Sequence, residues 1–243
     1  MTSFRARIKH LSEEKGSIIL ANDYSSSKNI ESKTIKNIKA LHNYLCGLKL
    51  NFHVLLPLGV KEIKKINDVA HDHGLVTIAD IKLNDIGNTN KITSEFLWNC
   101  GFDAIIVNPI MGKTSLKNLA DSAHKKSKGI ITLCHMSAPE AKHTYELQVT
   151  GKTRLYQLFL KLALLQKVDG IIVGATFPQI IQYCKNKVKA RLDIYSPGIG
   201  IQGGEVHKVI SSGSDFLIVG RTILSSKNPL DITKKLSQQS FSK

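Results

Sequence analysis

The chain is predicted to fold as one α/β domain, a (β/α)8 barrel of the TIM type running over residues 1–243. Three observations predict it. Short β-branched apolar runs alternate about eight times with longer amphipathic stretches, the runs begin at even intervals, and no break in composition marks a second domain. An open doubly wound sheet is the competing arrangement. With 243 residues, 42% of them hydrophobic, the chain can bury a full core.

The first expected element is a short helix over about residues 4–14, because Phe4, Ile8 and Leu11 fall on one helical face. A first strand over 17–23 ends in Asp23, and a helix over 27–45 carries the stripe Ile30, Ile35, Ile38, Leu41 and Leu45. The second strand, 47–52, sets Lys49 on the face opposite Leu48 and Leu50. A helix over 60–73 stops at Gly74, and a third strand follows from Leu75 to the charged segment at residue 80.

Farther on come a helix (88–99), a strand (102–109), a helix (115–126) and a fifth strand (129–137). An excursion over 138–152 precedes a helix (153–166), a strand (169–174), a helix (178–184) and a seventh strand (191–197). A helix over 204–211 and an eighth strand over 215–221 complete the barrel, and the polar residues from about 234 to 243 are expected to fray.

The third strand holds the densest chemistry. Its run Leu75-Val76-Thr77-Ile78-Ala79 is apolar on both faces, as in a parallel sheet, and leads into Asp80-Ile81-Lys82-Leu83-Asn84-Asp85. Alternation puts Asp80 and Lys82 on one face, where burial requires them to pair and holds the lysine protonated as a cation and proton donor. Taken alone, such a D-x-K-x-x-D segment reads equally as a surface ion pair at a strand end. The barrel context favours an active site, because Asp23, Lys49, Asp80, Lys82, Ser137, Pro197 and Arg221 all fall at or just beyond strand C-termini.

Gly198-Ile199-Gly200-Ile201-Gln202-Gly203 satisfies the dinucleotide pattern G-x-G-x-x-G, but about forty residues remain after it and Arg221, not an acid, closes the next strand. The loop fits better as a phosphate grip shared with Gly220-Arg221, where N–H groups and a guanidinium hold a phosphomonoester. A plain flexible turn is the bland alternative. Gly112-Lys113-Thr114 and Gly151-Lys152-Thr153 lack the earlier glycine of a P-loop. His71 and His73 are two apart, so they do not share a helical face and are expected in solvent, while His135 lies on the side of Ser137 and is a candidate to line the pocket, with a packing or supporting role favoured over catalysis.

The net charge of +15 invites an anionic partner, yet the lysines are scattered without interleaved aromatics, so solubility and attraction of a small anion are expected rather than nucleic-acid binding. Cys46, Cys100, Cys134 and Cys184 are too widely spaced for a zinc site or disulfide framework, and no metal or cofactor is expected. No apolar run approaches the roughly 20 residues of a membrane span, and the N-terminal segment lacks a secretory core, so a cytoplasmic location is expected.

Several segments together resemble one family. Ala21-Asn22-Asp23, Leu48-Lys49-Leu50, the run Ile78 to Asn90, His135-Met136-Ser137-Ala138-Pro139, Ser196-Pro197 through Gly204 and Ile218-Val219-Gly220-Arg221-Thr222-Ile223 look like orotidine 5′-phosphate decarboxylase in its short, archaeal-like form, over about residues 17 to 230. The resemblance implies cofactor-independent decarboxylation of orotidine 5′-monophosphate to uridine 5′-monophosphate in pyrimidine biosynthesis. Lys82 would stabilise the carbanion at C6 and deliver the proton, and Asp80 would hold Lys82 and face the substrate carboxylate. Asp23 and Lys49 would bind the ribose hydroxyls, and Ser137 would hydrogen-bond the pyrimidine. Gln202 would close over the ligand, Pro197, Gly198, Gly200 and Gly203 would bind it, and Gly220 and Arg221 would hold the phosphate. Asp85, Ile86 and Thr89 would complete the partner's site in a homodimer. Asn51, Ile199 and Ile201 depart from the usual family pattern. The metal-dependent phosphosugar decarboxylases and aldolases of the ketogulonate and hexulose phosphate type resemble the third strand but would place a metal-binding acid where Lys49 stands.

Overall fold

The computed structural model describes residues 2–24 and 28–241. The chain begins with α1 (Phe4–Lys15), β1 (Ile18–Ala21), α2 (Ile30–Leu41), β2 (Gly47–Asn51) and a single turn, α3 (Phe52–Leu55). It continues through α4 (Val60–Asp72), β3 (Val76–Leu83), α5 (Gly87–Asn99), β4 (Ala104–Val107), α6 (Lys113–Lys125) and β5 (Gly129–His135). The excursion contains a short antiparallel pair, β6 (Gln148–Thr150) and β7 (Thr153–Arg154), and leads to α7 (Leu155–Leu165). Then follow β8 (Gly170–Val173), α8 (Pro178–Val188), β9 (Asp193–Pro197), α9 (Val206–Ser211), β10 (Phe216–Val219), α10 (Arg221–Leu224) and α11 (Pro229–Ser240).

Eight strands close into a barrel in the order β1, β10, β9, β8, β5, β4, β3, β2, and the pairs recorded between them are parallel. The open doubly wound sheet is excluded by the β1–β10 pairing, where Ile18 sits beside Leu217 and Leu20 beside Val219. The strands are short and buried nearly throughout because helices cover their outer face and side chains fill the lumen, so both faces of each run must be apolar. Among the described residues, no helix is long and apolar enough to cross a membrane.

The N-terminal face is sealed by a recurrent device. An aspartate begins or immediately precedes four strands, at Asp103, Asp169, Asp193 and Asp215. Asp103, Asp169 and Asp215 each accept a hydrogen bond of 2.9 Å from a backbone N–H at a neighbouring strand's start, from Thr77, Ile130 and Ile194. Each also meets basic side chains: Asp103 meets Arg7 and His71, Asp169 meets His124, Asp215 meets Lys185, and Asp193 meets Arg5 and Lys9. Helix α1 supplies Arg5, Arg7 and Lys9, and it plugs the barrel with Phe4 and Ile8, both fully buried. Burying two such side chains stabilises the plug by about 3–6 kcal/mol. Phe4 requires Gly129 beneath it, since a Cβ there would lie 2.2 Å from the ring.

Several expectations need correction. The polar tail does not fray over residues 234–240, because α11 buries Thr233, Leu236, Ser237 and Ser240 on one face. Its hydroxyls are used: Ser240 Oγ accepts from Ser17 N at 2.8 Å and Ser237 Oγ donates to Lys15 O at 2.8 Å. Residues 242–243, like the expected helix start at Ser27, lie outside the described residues. His71 is exposed, as expected, and His73 is half-buried, but both have hydrogen-bond partners. His71 Nε2 lies 2.8 Å from Asp103 Oδ2, while His73 bonds Val69 O through Nδ1 and packs edge-on against His42.

Candidate active site

Eight strands present their C-terminal ends to one cavity of about 330 Å³. Each contributes at least one residue to it. Ala21, Lys49 and Asp80 come from β1 to β3, Ile106 and Leu133 from β4 and β5, and Ile172, Pro197 and Ile218 from β8 to β10. The floor is therefore charged on the β2–β3 side and apolar across the rest.

The charged side is built on a broken strand. Asp80 still pairs with Ile106 of β4, but the next pairing is Leu83 with Val107, so Ile81 and Lys82 are extra residues in a bulge. Lys82 takes a left-handed backbone, φ 48°, a conformation costly for a residue with a side chain. The bulge re-aims Lys82 so that Nζ lies 2.7 Å from Asp80 Oδ1 and faces the cavity. Simple alternation along β3 does not produce this geometry.

Asp80 is shared. Its Oδ2 accepts from Lys49 Nζ at 2.8 Å, and Lys49 lies 3.4 Å from both oxygens of Asp23 at the end of β1. The order of charges along the floor is thus Asp23, Lys49, Asp80, Lys82. Burial alone would push Lys49 down, but the Asp80 and Asp23 carboxylates outweigh it and hold its pKa above that of an ordinary lysine. Burial would likewise raise Asp80, yet Lys49 and Lys82 hold it below the usual carboxylate range. Both groups are therefore ionised at neutral pH. Asn51, which departs from the resembled pattern, lines the cavity and caps α3 by accepting from Phe52 N at 2.7 Å.

The opposite rim is the glycine loop after β9. Gly200 N donates to Gly204 O, Gly203 N to Gly200 O and Gly204 N to Gly198 O, so these N–H groups close the loop on itself. Thr222 of α10 latches it, donating to Ile199 O at 2.9 Å and accepting from Ile201 N at 3.3 Å. Gly198 (φ 99°) and Gly200 (φ 77°) need their freedom, since a Cβ would come within 2.7 Å of Gln202 Oε1 at the first and 2.3 Å of Thr222 Oγ1 at the second. Pro197, Gly198, Gln202, Gly220 and Arg221 line the cavity; Gly200 and Gly203 shape the loop without lining it.

Ser137 lines the wall after β5, but His135, the other candidate on that side, does not and packs behind it instead. The β5–β8 register shifts between Leu133 and His135, and this irregularity turns His135 outward beneath the excursion. Asp85, Ile86 and Thr89 are exposed and do not line this chain's own cavity; Asp85 instead accepts from Ile86 N at 2.7 Å. The residues that sequence reasoning missed are the apolar floor, Met136 and Thr222. Strand alternation counted back from each C-terminus could have found Ile106 and Ile172, but nothing in the sequence marks Thr222 as a latch.

The whole constellation falls within residues 16–236, which match the model of the Orotidine 5′-phosphate decarboxylase / HUMPS family. The chain belongs to this family. Among orotidine 5′-phosphate decarboxylases, that of Pyrococcus abyssi is 32% identical over 206 residues, 85% of this chain and 92% of that protein. The one from Thermococcus kodakarensis is 30% identical over 93% of this chain and 97% of its own length. The solved orotidine 5′-monophosphate decarboxylase of Methanocaldococcus jannaschii, complexed with the inhibitor BMP, superposes with a TM-score of 0.79 at 28% identity, covering 92% of this chain and 97% of that one. The barrel is thus the family's fold.

Proposed function

We propose that the protein decarboxylates orotidine 5′-monophosphate to uridine 5′-monophosphate in pyrimidine biosynthesis. The observation that carries this reading is the Lys82 ammonium, held by Asp80 in a cavity whose far rim is the Gln202 loop and Arg221. A phosphate on the Arg221 side leaves the base over the charged half of the floor, so remote binding energy orients the reacting carbon against Lys82.

Loss of CO2 leaves an electron pair on C6 of the pyrimidine. The adjacent ammonium stabilises that charge and then donates a proton to the same carbon, and the resulting amine recovers a proton from solvent. Asp80 orients Lys82 and faces the substrate carboxylate. The apolar floor of Ile106, Leu133, Ile172 and Ile218 suits neutral CO2 better than a carboxylate. Asp23 and Lys49 bind the ribose hydroxyls, and Ser137 bonds the pyrimidine edge.

Asp85, Ile86 and Thr89 complete the partner's site in a homodimer of a cytoplasmic enzyme. The exposed apolar side chains of Ile86, Ile92, Phe96 and Ile110 support such an interface. Mixing two inactive variants, Lys82→Ala and Asp85→Ala, then restores about a quarter of wild-type activity, because half the dimers are hybrids and each hybrid regains one complete site. No recovery on mixing overturns the shared site.

Lys49 sets a positive charge between two carboxylates, which favours nucleotide decarboxylation over the metal-dependent phosphosugar chemistry of sister enzymes. The purified protein should deplete the absorbance of orotidine monophosphate equally fast with and without EDTA. Activity confined to a sugar phosphate with added magnesium would refute the proposal.

A further inference from the structure

His135, turned out of the cavity, is fully buried in a cage of rings, with centroids of Phe177 at 4.4 Å, Tyr145 at 5.5 Å and Tyr156 at 6.0 Å. Its Nδ1 lies 2.9 Å from Met136 O, and a carbonyl only accepts, so Nδ1 carries the proton. Nε2 has no hydrogen-bond partner; Glu146 Oε1 stands 3.6 Å away, and Arg154 holds the other oxygen of Glu146 at 2.7 Å. Burial pushes the imidazole pKa down, consistent with a neutral ring. A leucine or phenylalanine would fill this cage without the unpartnered Nε2, but would leave Met136 O without this donor. What the imidazole adds is the donor to Met136 O.

That carbonyl belongs to the peptide joining Met136 to Ser137, and both residues line the cavity. The next carbonyl, Ser137 O, is held by Thr176 Oγ1 at 2.9 Å. Two consecutive carbonyls of the cavity wall are thus pinned from outside by side chains that do not line the cavity themselves.

We propose that His135 is a positioning residue: its Nδ1–H, with the Thr176 hydroxyl, clamps the Met136–Ser137 segment and so aims the Ser137 hydroxyl at the substrate ring. The inference rests on the assignment of Ser137 to the pyrimidine. Because Ser137 holds the ring rather than the reacting carbon, loss of the clamp acts on binding more than on the chemical step.

His135→Leu should raise KM for orotidine monophosphate and Kd for uridine monophosphate by about tenfold, the worth of a well-made buried hydrogen bond, while kcat changes much less. His135→Asn, whose amide N–H occupies the place of Nδ1, should restore both constants to near wild type. His135→Gln, whose amide falls near Nε2, should not. Should the leucine variant fail to fold, Thr176→Val removes the other half of the clamp and should give the same KM-selective loss. Wild-type constants in folded His135→Leu, or equal defects in the Asn and Gln variants, overturn the inference while leaving the functional reading intact. A wild-type protein that neither turns over orotidine monophosphate nor binds uridine monophosphate overturns both.

Discussion

Lys82 Nζ reaches Asp80 Oδ1 at 2.7 Å only because the two residues flank the turn of a bulge in which Lys82 adopts φ 48°. The strand gives up its ladder and accepts backbone strain to bring an ammonium over the floor, a cost characteristic of functional positions. Lys82→Ala removes the cation and proton donor but leaves the cavity shape. Turnover should fall at least about a thousandfold, while uridine monophosphate binding changes by less than about tenfold. Steady-state kinetics and calorimetric titration check the two halves, and an active alanine variant would dismiss the role.

Asp80 is the partner of two lysines, one of which, Lys49, is 3% exposed. Asp80→Asn leaves the buried Lys49 charge stranded but for the longer 3.4 Å contacts to Asp23 and should cost up to about 3–5 kcal/mol in urea unfolding. Adding Lys49→Met to that variant should recover part of the loss, since an apolar chain of similar volume replaces the stranded charge. A fully additive double variant would show that the two do not act as a pair.

Asp103 makes the pH dependence of stability testable away from the site. Burial would raise its pKa, but the His71 hydrogen bond and charge, the Thr77 N–H and Lys128 bring it below the ordinary value. A carboxylate whose folded pKa is depressed contributes stability above its unfolded value of about 3.9 and loses it as pH falls through the folded value. Chemical denaturation should therefore show wild-type stability declining below about pH 4, and Asp103→Asn should be weaker at pH 7 with a shallower acid decline. Equal acid slopes for the two proteins would contradict this.

The Thr222 latch predicts a substrate-side effect from a residue far in sequence from the charged network. Thr222→Val unpins Ile199 O and Ile201 N and should weaken binding of the phosphate-bearing nucleotide by about five- to tenfold. It should leave binding of the dephosphorylated nucleoside nearly unchanged. Gly200→Ala should weaken nucleotide binding more, because a Cβ at φ 77° meets Thr222 Oγ1 at 2.3 Å. The comparison of nucleotide and nucleoside affinities decides whether the loop serves the phosphate.

Much of this was legible in the sequence for simple physical reasons. Strands such as Ile105-Ile106-Val107 are apolar on both faces, and only a helix-covered parallel sheet buries both. Asp23, Lys49, Asp80, Lys82 and Arg221 stood out because charges are rare at the ends of such runs. Bulges were illegible: the outward turn of His135 and the left-handed backbone at Lys82 arise from register between two strands, which neither strand encodes alone. Helix α11 was illegible because its buried face is mostly hydroxyls, Thr233, Ser237 and Ser240, which read as solvated until their acceptors are known. The strand-start aspartates were in plain view, but they gain meaning only when the neighbouring N–H groups and α1 close around them.

The plug at the base of the barrel governs when this molecule can be finished. Arg5 of α1 finds Asp193 across 188 positions, and Ser17 is tied to Ser240 in the final helix. Residues near positions 5 and 17 thus gain these partners only when segments about 190 to 220 residues away come into place. Until β9 and α11 are in place, the Arg5 guanidinium and the Ser17 N–H lack these acceptors, so sealing the base of the barrel is a late, long-range event in folding.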